Sequence, residues 1–567
     1  MANPPNPPDP PNPAVLQATA GVLHNDNTVC QYLLNNLETS VALEFLPSKI
    51  HVNGTGLFAK EAIPEGSEIF RSTPFVTCVK NGHHGSICDY CHTSNEGDVD
   101  AEGNFLTEGV VVPTISRCER CGVCGYCSEI CKIKAWIEYH KFECQALKLS
   151  PRPASEIRML YRVLAMHKQN NILGLEFRAL RNLWSDQGQN PLETANYMMT
   201  IAMNAETLIQ SGLWNEIIRD IFWKIHTNIR CIESHHEEGF GYALDFVLSF
   251  INHSCDPNAH MFIERGKLRM RSLKPIKAGD EITQTYTDLR PGVMMRRERL
   301  ESEYSFTCQC NRCKNEYREL HALALSDGLS VKDVVETEKK FHDIRKQAVS
   351  YNTTDQVESI VASLTKTIFP ARPWNDTIYP MGAIKFHFAK LYSSSGNCHQ
   401  AAIYAIQGCL TTTPRSGLEW PDDLHMLLQY LKKSMLAPRA AGTKMPDPQN
   451  LQTFFNGILH EVVVLSRKGY GVDSKYTIAL DNWRIDMLKS AEPPLPGKEG
   501  FAEKFAEAQV SVLKWAGVDE KRGIVLSDVV LDDGVIVGDG VMVGNGVSQM
   551  ELDLSVKKER TGCCCMH

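Results

Sequence analysis

Residues 251–260 read "INHSCDPNAH", which sets Cys255 among the polar turn formers Asn252, His253, Asp256 and Asn258, just after the apolar run "ALDFVLSFI". A thiol placed so can be a buried structural group, a nucleophile or a metal ligand. Help comes from "FTCQCNRC", residues 306–313, where Cys308, Cys310 and Cys313 offer three thiolates. Tetrahedral zinc takes four ligands, so this set is one short. Cys255 lies 53 residues upstream of Cys308 and is a candidate for the fourth, if the fold returns the chain to it.

A second cysteine cluster lies further upstream. Cys88-x2-Cys91 is followed, after 26 residues, by Cys118-x2-Cys121-x2-Cys124-x2-Cys127-x3-Cys131-x8-His140-x3-Cys144. A C-x2-C turn brings two thiolates to one ion, and residues four apart on a helix share a face, as Cys127 with Cys131 and His140 with Cys144 would. "SEICKIKAWIEYHKFEC", residues 128–144, supports a helix there, with Ser128 as its cap and Ile133, Trp136 and Ile137 at helical spacing. This order of ligands resembles the MYND zinc finger, which binds two ions in interleaved fashion. The resemblance implies Cys88, Cys91, Cys127 and Cys131 for one ion and Cys118, Cys121, His140 and Cys144 for the other, with Cys124 a bystander. Cys255, Cys308, Cys310 and Cys313 bring the expected total to three zinc ions.

"NHSCDPN", then "IKAGDEITQTYTDL" (276–289), then "EYSFTCQCNRC" (303–313), closely resemble the catalytic half of a SET domain and its post-SET segment, and "NGTGLFAKEAIPEGSEIF" (53–70) resembles the domain's opening strand and glycine turn. A SET domain split by a MYND finger and followed by a long helical tail is the layout of the SET and MYND domain (SMYD) family of protein-lysine methyltransferases. The fold class implied is α+β: a SET-type β fold interrupted by the finger, then an α-helical, tetratricopeptide-like C-terminal domain. The expected order is a proline-rich, mostly disordered N-terminus (1–44), the first part of SET (45–87), the finger (88–144) and a helical insert (145–226). The catalytic part of SET (227–306), the post-SET segment (307–320), the helical domain (321–520) and a Gly/Val-rich tail (521–567) follow.

Methyl transfer from S-adenosylmethionine to a lysine requires sulfonium, methyl and amine in line and water kept out. A lysine of ordinary pKa, about 10.4, carries no lone pair at neutral pH, so the site must favour the neutral amine. The resemblance assigns Tyr286 as the catalytic residue and Tyr304 and Phe306 as walls of the lysine channel, all three also touching the cofactor. It assigns the cofactor turn to Gly54, Thr55, Gly56 and Leu57, where glycine permits close backbone approach, and further contacts to Asn228, Asn252 and His253. After Asn228 the family pattern has an aromatic and a small polar residue; here stand Ile229 and Arg230. For His253 a structural and cofactor role is preferred over a general base. "HHEEG" (235–239) reads as a solvated insertion.

Elsewhere the pattern is helical. "SEIRMLYRVLAMHK" (155–168) connects the finger to the catalytic half, and "SVKDVVETEKKFHDIRKQAV" (330–349) opens on a Ser330/Asp333 capping box with Val334, Phe341, Ile344 and Ala348 on one face. "MGAIKFHFAKLYSSSGNCHQAAIYAIQGCLTTT" (381–413) is a helix, a turn and a helix, like one tetratricopeptide unit. "VVLDDGVIVGDGVMVGNGV" (529–547) resembles a hexapeptide β-helix pattern, with too few turns for the acyltransferases that use it, and reads as a low-complexity tail in preference to a small appended β element. The closing "GCCCMH" lacks the aliphatic pair of a prenylation box.

Composition sets the frame. Of 567 residues 43% are hydrophobic and 22% charged, and no apolar run of about 18 residues is present, so no membrane association is expected. Without a charged and apolar leader pattern the expected location is intracellular, nucleus and/or cytoplasm. A net charge of -8 argues against direct DNA binding. The expected partners are a protein substrate with a target lysine and proline-rich peptides through the finger, and a monomer is expected. The competing reading is a non-catalytic MYND/SET adaptor; the presence of Tyr286, Asn252 and His253 favours the enzyme.

Overall fold

The computed structural model describes residues 23–51, 54–94, 114–185, 192–234, 237–264, 266–326, 330–347, 381–411, 419–438 and 445–527, with isolated residues between 355 and 363 and between 531 and 542. A helix α1 (Asn27–Asn35) leads in, its N-cap Asp26 accepting from Val29 N at 3.2 Å and its Val29, Cys30 and Leu33 buried. The ordered body thus begins upstream of residue 45, correcting the expectation for 1–44. Proline composition dominated that reading, and the capped helix sits in its second half; residues 1–22 lie outside the described part.

Strand pairing unites the two distant halves. β1 (Leu43–Pro47) pairs antiparallel with β2 (Thr55–Ala59), every residue of which is buried. β3 (Glu68–Ser72) and β4 (Val76–Val79) complete the first half, and β5 (Ser116–Arg117) and β6 (Gly125–Tyr126) form a hairpin in the finger. The second half supplies β7 (Arg230–Ser234), β8 (Glu237–Leu244), β9 (Asn252–His253), β10 (Ala259–Glu264), β11 (Lys267–Ser272) and β12 (Thr283–Gln284). β3 joins the β10–β11 hairpin, with Phe70 opposite Met270, and β4 joins the β7–β8 hairpin, with Val76 opposite Leu244. Each of the two three-stranded sheets takes a strand from the first half and a hairpin from the second, so the finger and helices between them are an insertion into one folding unit. Of the "HHEEG" run, Glu237 to Gly239 belong to β8; His235 and His236 lie outside the described residues.

The insert is helical. α2 (Ser155–Lys168) is buried continuously from Arg158 to Ala165, and α3 (Asn215–Asn228) delivers the chain to β7. In the finger, a helix over Glu129–Ala135 widens into a π turn, Trp136–His140, and resumes over Lys141–Leu149. Ile133 and Ile137 are exposed rather than packed, at 50% and 62%, so metal spacing, not a buried face, defines this helix.

Beyond the SET body, α4 (Asn311–Ser326) carries Cys313 and α5 (Val331–Gln347) begins at the expected capping box, with Ser330 N to Asp333 Oδ2 at 3.1 Å and Asp333 N to Ser330 Oγ at 3.2 Å. Val334 is buried; the side chains of Phe341 and Ile344 lie outside the described part, as does Ala348. Met381–Ser394 and Cys398–Thr411 make the helix–turn–helix pair, with Tyr404 stacked on Tyr392 at 5.4 Å between centroids. A second core forms around α6 (Pro448–Tyr470). It is latched to the SET sheet by Arg269 Nη2 to Asp473 Oδ1 at 2.8 Å and Arg271 Nε to Lys468 O at 3.1 Å. In the tail, Ile536–Val537 pairs antiparallel with Val541–Met542, and the rest of 529–547 lies almost wholly outside the described residues.

Glu338 of α5 is buried and accepts from Gly292 N at 2.7 Å; a Cβ at position 292 would stand 2.3 Å from its carboxylate. Burial pushes its carboxyl from 4.5 up to about 7, against the pull of Gly292 N–H and Arg296. Between these values the unfolded chain releases a proton that the folded chain keeps. Stability therefore falls as pH rises from 4.5 to 7, by about 3 kcal/mol at most, and stays lower above that. Glu338→Gln is accordingly expected to melt above the wild type at pH 8 and not at pH 5. A difference in melting temperature independent of pH would contradict this.

Candidate functional site

Three sets of side chains present soft donors to a common centre. In each of Cys88/Cys91/Cys127/Cys131, Cys118/Cys121/His140/Cys144 and Cys255/Cys308/Cys310/Cys313, the ligand atoms all lie within 4.8 Å of one another. Zinc–sulfur bonds of about 2.3 Å put tetrahedral edges at about 3.8 Å. The Sγ separations are 3.5 Å for Cys91–Cys127, 3.6 Å for Cys127–Cys131 and 3.9 Å for Cys118–Cys144, and His140 Nε2 lies 3.7 Å from Cys121 Sγ. The donor sets therefore fit zinc, and each could hold one ion.

The structure also accounts for Cys124, a residue the spacing left without a role. His140 turns Nε2 to the cysteines and donates from Nδ1 to Glu143 at 2.8 Å, the hydrogen bond that fixes the tautomer of a metal-binding histidine. Glu143 in turn accepts from Arg158 Nε at 3.1 Å and Arg162 Nε at 2.8 Å. Both guanidiniums also grip Asp89, which sits between Cys88 and Cys91; the Arg162 contact is 2.7 Å. Cys124 is buried beside this group, its sulfur 3.0 Å from Arg158 Nη2 and on the Nδ1 side of His140. Two carboxylates and two guanidiniums cancel in charge, all essentially inaccessible to solvent. Burial alone would raise the acids; the arginines override it and hold both well below the usual carboxylate range.

The second focus lies where β2, β9 and β12 meet. β9 and β12 run parallel, Thr283 opposite Asn252 and Gln284 opposite His253, and Ile282 N donates to Leu57 O at 2.8 Å. Asn252 Nδ2 faces Thr55 O at 3.0 Å, Ser48 Oγ at 3.1 Å and Glu281 Oε1 at 2.8 Å. Glu281 also accepts from Lys49 N at 2.8 Å, and a Cβ on Gly56 would stand 2.4 Å from its oxygen, so that approach requires glycine. Sequence reasoning missed Glu281, although it stands inside "AGDEIT".

His253 links the cysteine set to Tyr286. Its Nδ1 accepts from Tyr286 N at 2.9 Å, which leaves the hydrogen on Nε2, 3.2 Å from Cys255 Sγ. Both ring nitrogens are thus engaged. Tyr286 Oη donates to Ile251 O at 2.8 Å, and Gln284 Nε2 donates to the same carbonyl at 3.1 Å. Rings gather around Tyr286: Tyr304 at 4.9 Å, His253 at 5.4 Å and Phe306 at 6.5 Å between centroids. His51 and Trp184, not foreseen from sequence, extend the cluster, His51 lying 6.3 Å from Phe306 and 6.1 Å from Trp184. Burial pushes the Tyr286 phenol above its ordinary range, opposed by the nearby Arg230. Asn228 is placed differently, its amide hydrogens going to Trp184 O at 2.8 Å and Lys224 O at 2.9 Å at the end of α3.

Comparison with known proteins agrees with this geometry. The SET domain family matches residues 54–287. The chain carries a SET domain, and its two halves are the strands that pair across the inserted finger. It is 29% identical over 306 residues to human histone-lysine N-methyltransferase SMYD3, covering 52% of this chain and 66% of that protein. It is 26% identical over 274 residues to SET domain and MYND-type zinc finger protein 6 of Schizosaccharomyces pombe (47% and 50%), and 23% identical over 330 residues to N-lysine methyltransferase SMYD2-B of Xenopus laevis (54% and 70%). These matches support a SMYD-like family for the chain, which spans 66% of the human relative's length. Among the described residues no helix is long and apolar enough to cross a membrane.

Proposed function

We propose that this chain is an S-adenosylmethionine-dependent protein-lysine N-methyltransferase. The observation that carries the reading is Tyr286, its hydroxyl tied to Ile251 O at the centre of an aromatic cluster two residues beyond β12. S-adenosylmethionine, when bound, would supply an electrophilic methyl group for a neutral lysine amine.

Gly54, Thr55, Gly56, Leu57, Asn252 and His253 would hold the cofactor, while Asn228, its amide hydrogens spent on Trp184 O and Lys224 O, would offer only its side-chain oxygen. Glu281, packed against Gly56 and bonded to Ser48, Lys49 and Asn252, would brace this turn. Tyr286 has committed its proton to Ile251 O, so only the lone pairs of its oxygen could face a polarised methyl. Tyr304 and Phe306 would wall the lysine channel and exclude water, which strengthens each remaining electrostatic contact. The three sulfur-rich sets would hold three zinc ions, and the one containing Cys255 would fix the channel through His253.

Calorimetry tests the cofactor part. S-adenosylmethionine is expected to bind the purified full chain at one molecule per chain, and Cys255→Ser to lose zinc and cofactor affinity together. Absence of binding by the wild type would remove the reading.

A further inference from the structure

Arg230 is the first residue of β7, two positions after Asn228, and its side chain enters the aromatic cluster. Its guanidinium carbon stands 4.2 Å from the centre of the Tyr286 ring and 5.4 Å from that of Tyr304. Nη1 donates to Ile229 O at 3.1 Å and lies 3.4 Å from Tyr304 Oη, while Nε is buried without a partner. Among the described residues no carboxylate pairs with it. The ring faces are its counter-charge, as in a cation–π pair. The same two faces would line the route of a substrate lysine.

Two cations cannot share one aromatic pair without cost, because a like charge within about 4–6 Å disfavours the charged form. A lysine can escape that cost by entering deprotonated; an arginine cannot, since its guanidinium stays charged at any working pH. We propose that Arg230 is a specificity-determining residue of the lysine channel, a resident cation over Tyr286 and Tyr304 that bars the ammonium and admits the neutral amine. This rests on the methyltransferase reading and adds to it. The groups facing Arg230 and the two tyrosines are His253, against Tyr286, and Glu281, whose charge reaches Tyr286. Neither stands between the guanidinium and the rings in the recorded contacts, so neither replaces the repulsion. The sequence carried a signal for this residue, the departure from the family pattern after Asn228.

The test compares full-length wild type, Arg230→Lys, Arg230→Met and Arg230→Gln, with labelled S-adenosylmethionine and core histones, across pH 6.5 to 9.5. Melting temperature and cofactor binding establish that each variant is folded, and the two neutral variants guard against failure of either. The expected result is that kcat for the wild type and Arg230→Lys rises about one pH unit below kcat for the neutral variants. Superimposable profiles would overturn the proposal. So would neutral variants that transfer methyl while the wild type is silent at every pH, since Arg230 would then be a plug. If all four bind cofactor and none transfers methyl, the methyltransferase reading fails and the proposal falls with it.

Discussion

Replacing Tyr286 by phenylalanine is expected to lower methyl transfer by about 100-fold or more, the scale of losing one preorganised polar group at a reacting centre. Zinc content should be unchanged. The fold should tolerate the change because Ile251 O keeps its second donor, Gln284 Nε2 at 3.1 Å, and is not orphaned. The ring also keeps its packing on Tyr304 and His253. The stability loss should therefore be about 1 kcal/mol, that of a single neutral hydrogen bond. Thermal melts beside single-turnover transfer separate the two effects. Transfer at the wild-type rate would remove Tyr286 from the reacting centre.

Arg162→Ala carries the largest expected effect on folding. It leaves Asp89 and Glu143, both fully buried, to share Arg158 alone, and breaking a buried ion pair from one side costs about 3–5 kcal/mol. The damage should reach the metal, because Asp89 lies between two cysteines of one set and Glu143 bonds His140 of the other. The variant is expected to melt well below the wild type and to surrender zinc to chelator faster. Arg162→Met, which restores volume without charge, should fare no better. Wild-type melting and zinc retention in both would show that the network is incidental.

The cysteine sets were legible because spacings of two, three and four residues restrict which thiols can meet, and the two-part SET pattern survives a long insertion as ordered motifs. The Arg158–Arg162 clamp was not legible. α2 is buried on every side from Arg158 to Ala165, so its arginines occupy positions that a one-faced helical pattern assigns to solvent. Cys124 was read as a bystander for a related reason: its environment comes from α2, which no local spacing announces. Glu281 was overlooked because its partners Ser48, Lys49 and Asn252 are scattered in sequence and meet only when β9 pairs with β12 and β2 runs alongside residues 281–282. The capped helix at Asn27–Asn35 was hidden by the prolines before it.

The most direct measurement is incubation of the purified full chain with methyl-labelled S-adenosylmethionine and core histones, with mass spectrometry of the products. The account predicts label on lysine side chains with the wild type and its near-complete loss with Tyr286→Phe. Zinc-loaded, cofactor-binding wild-type protein that labels no lysine would contradict it.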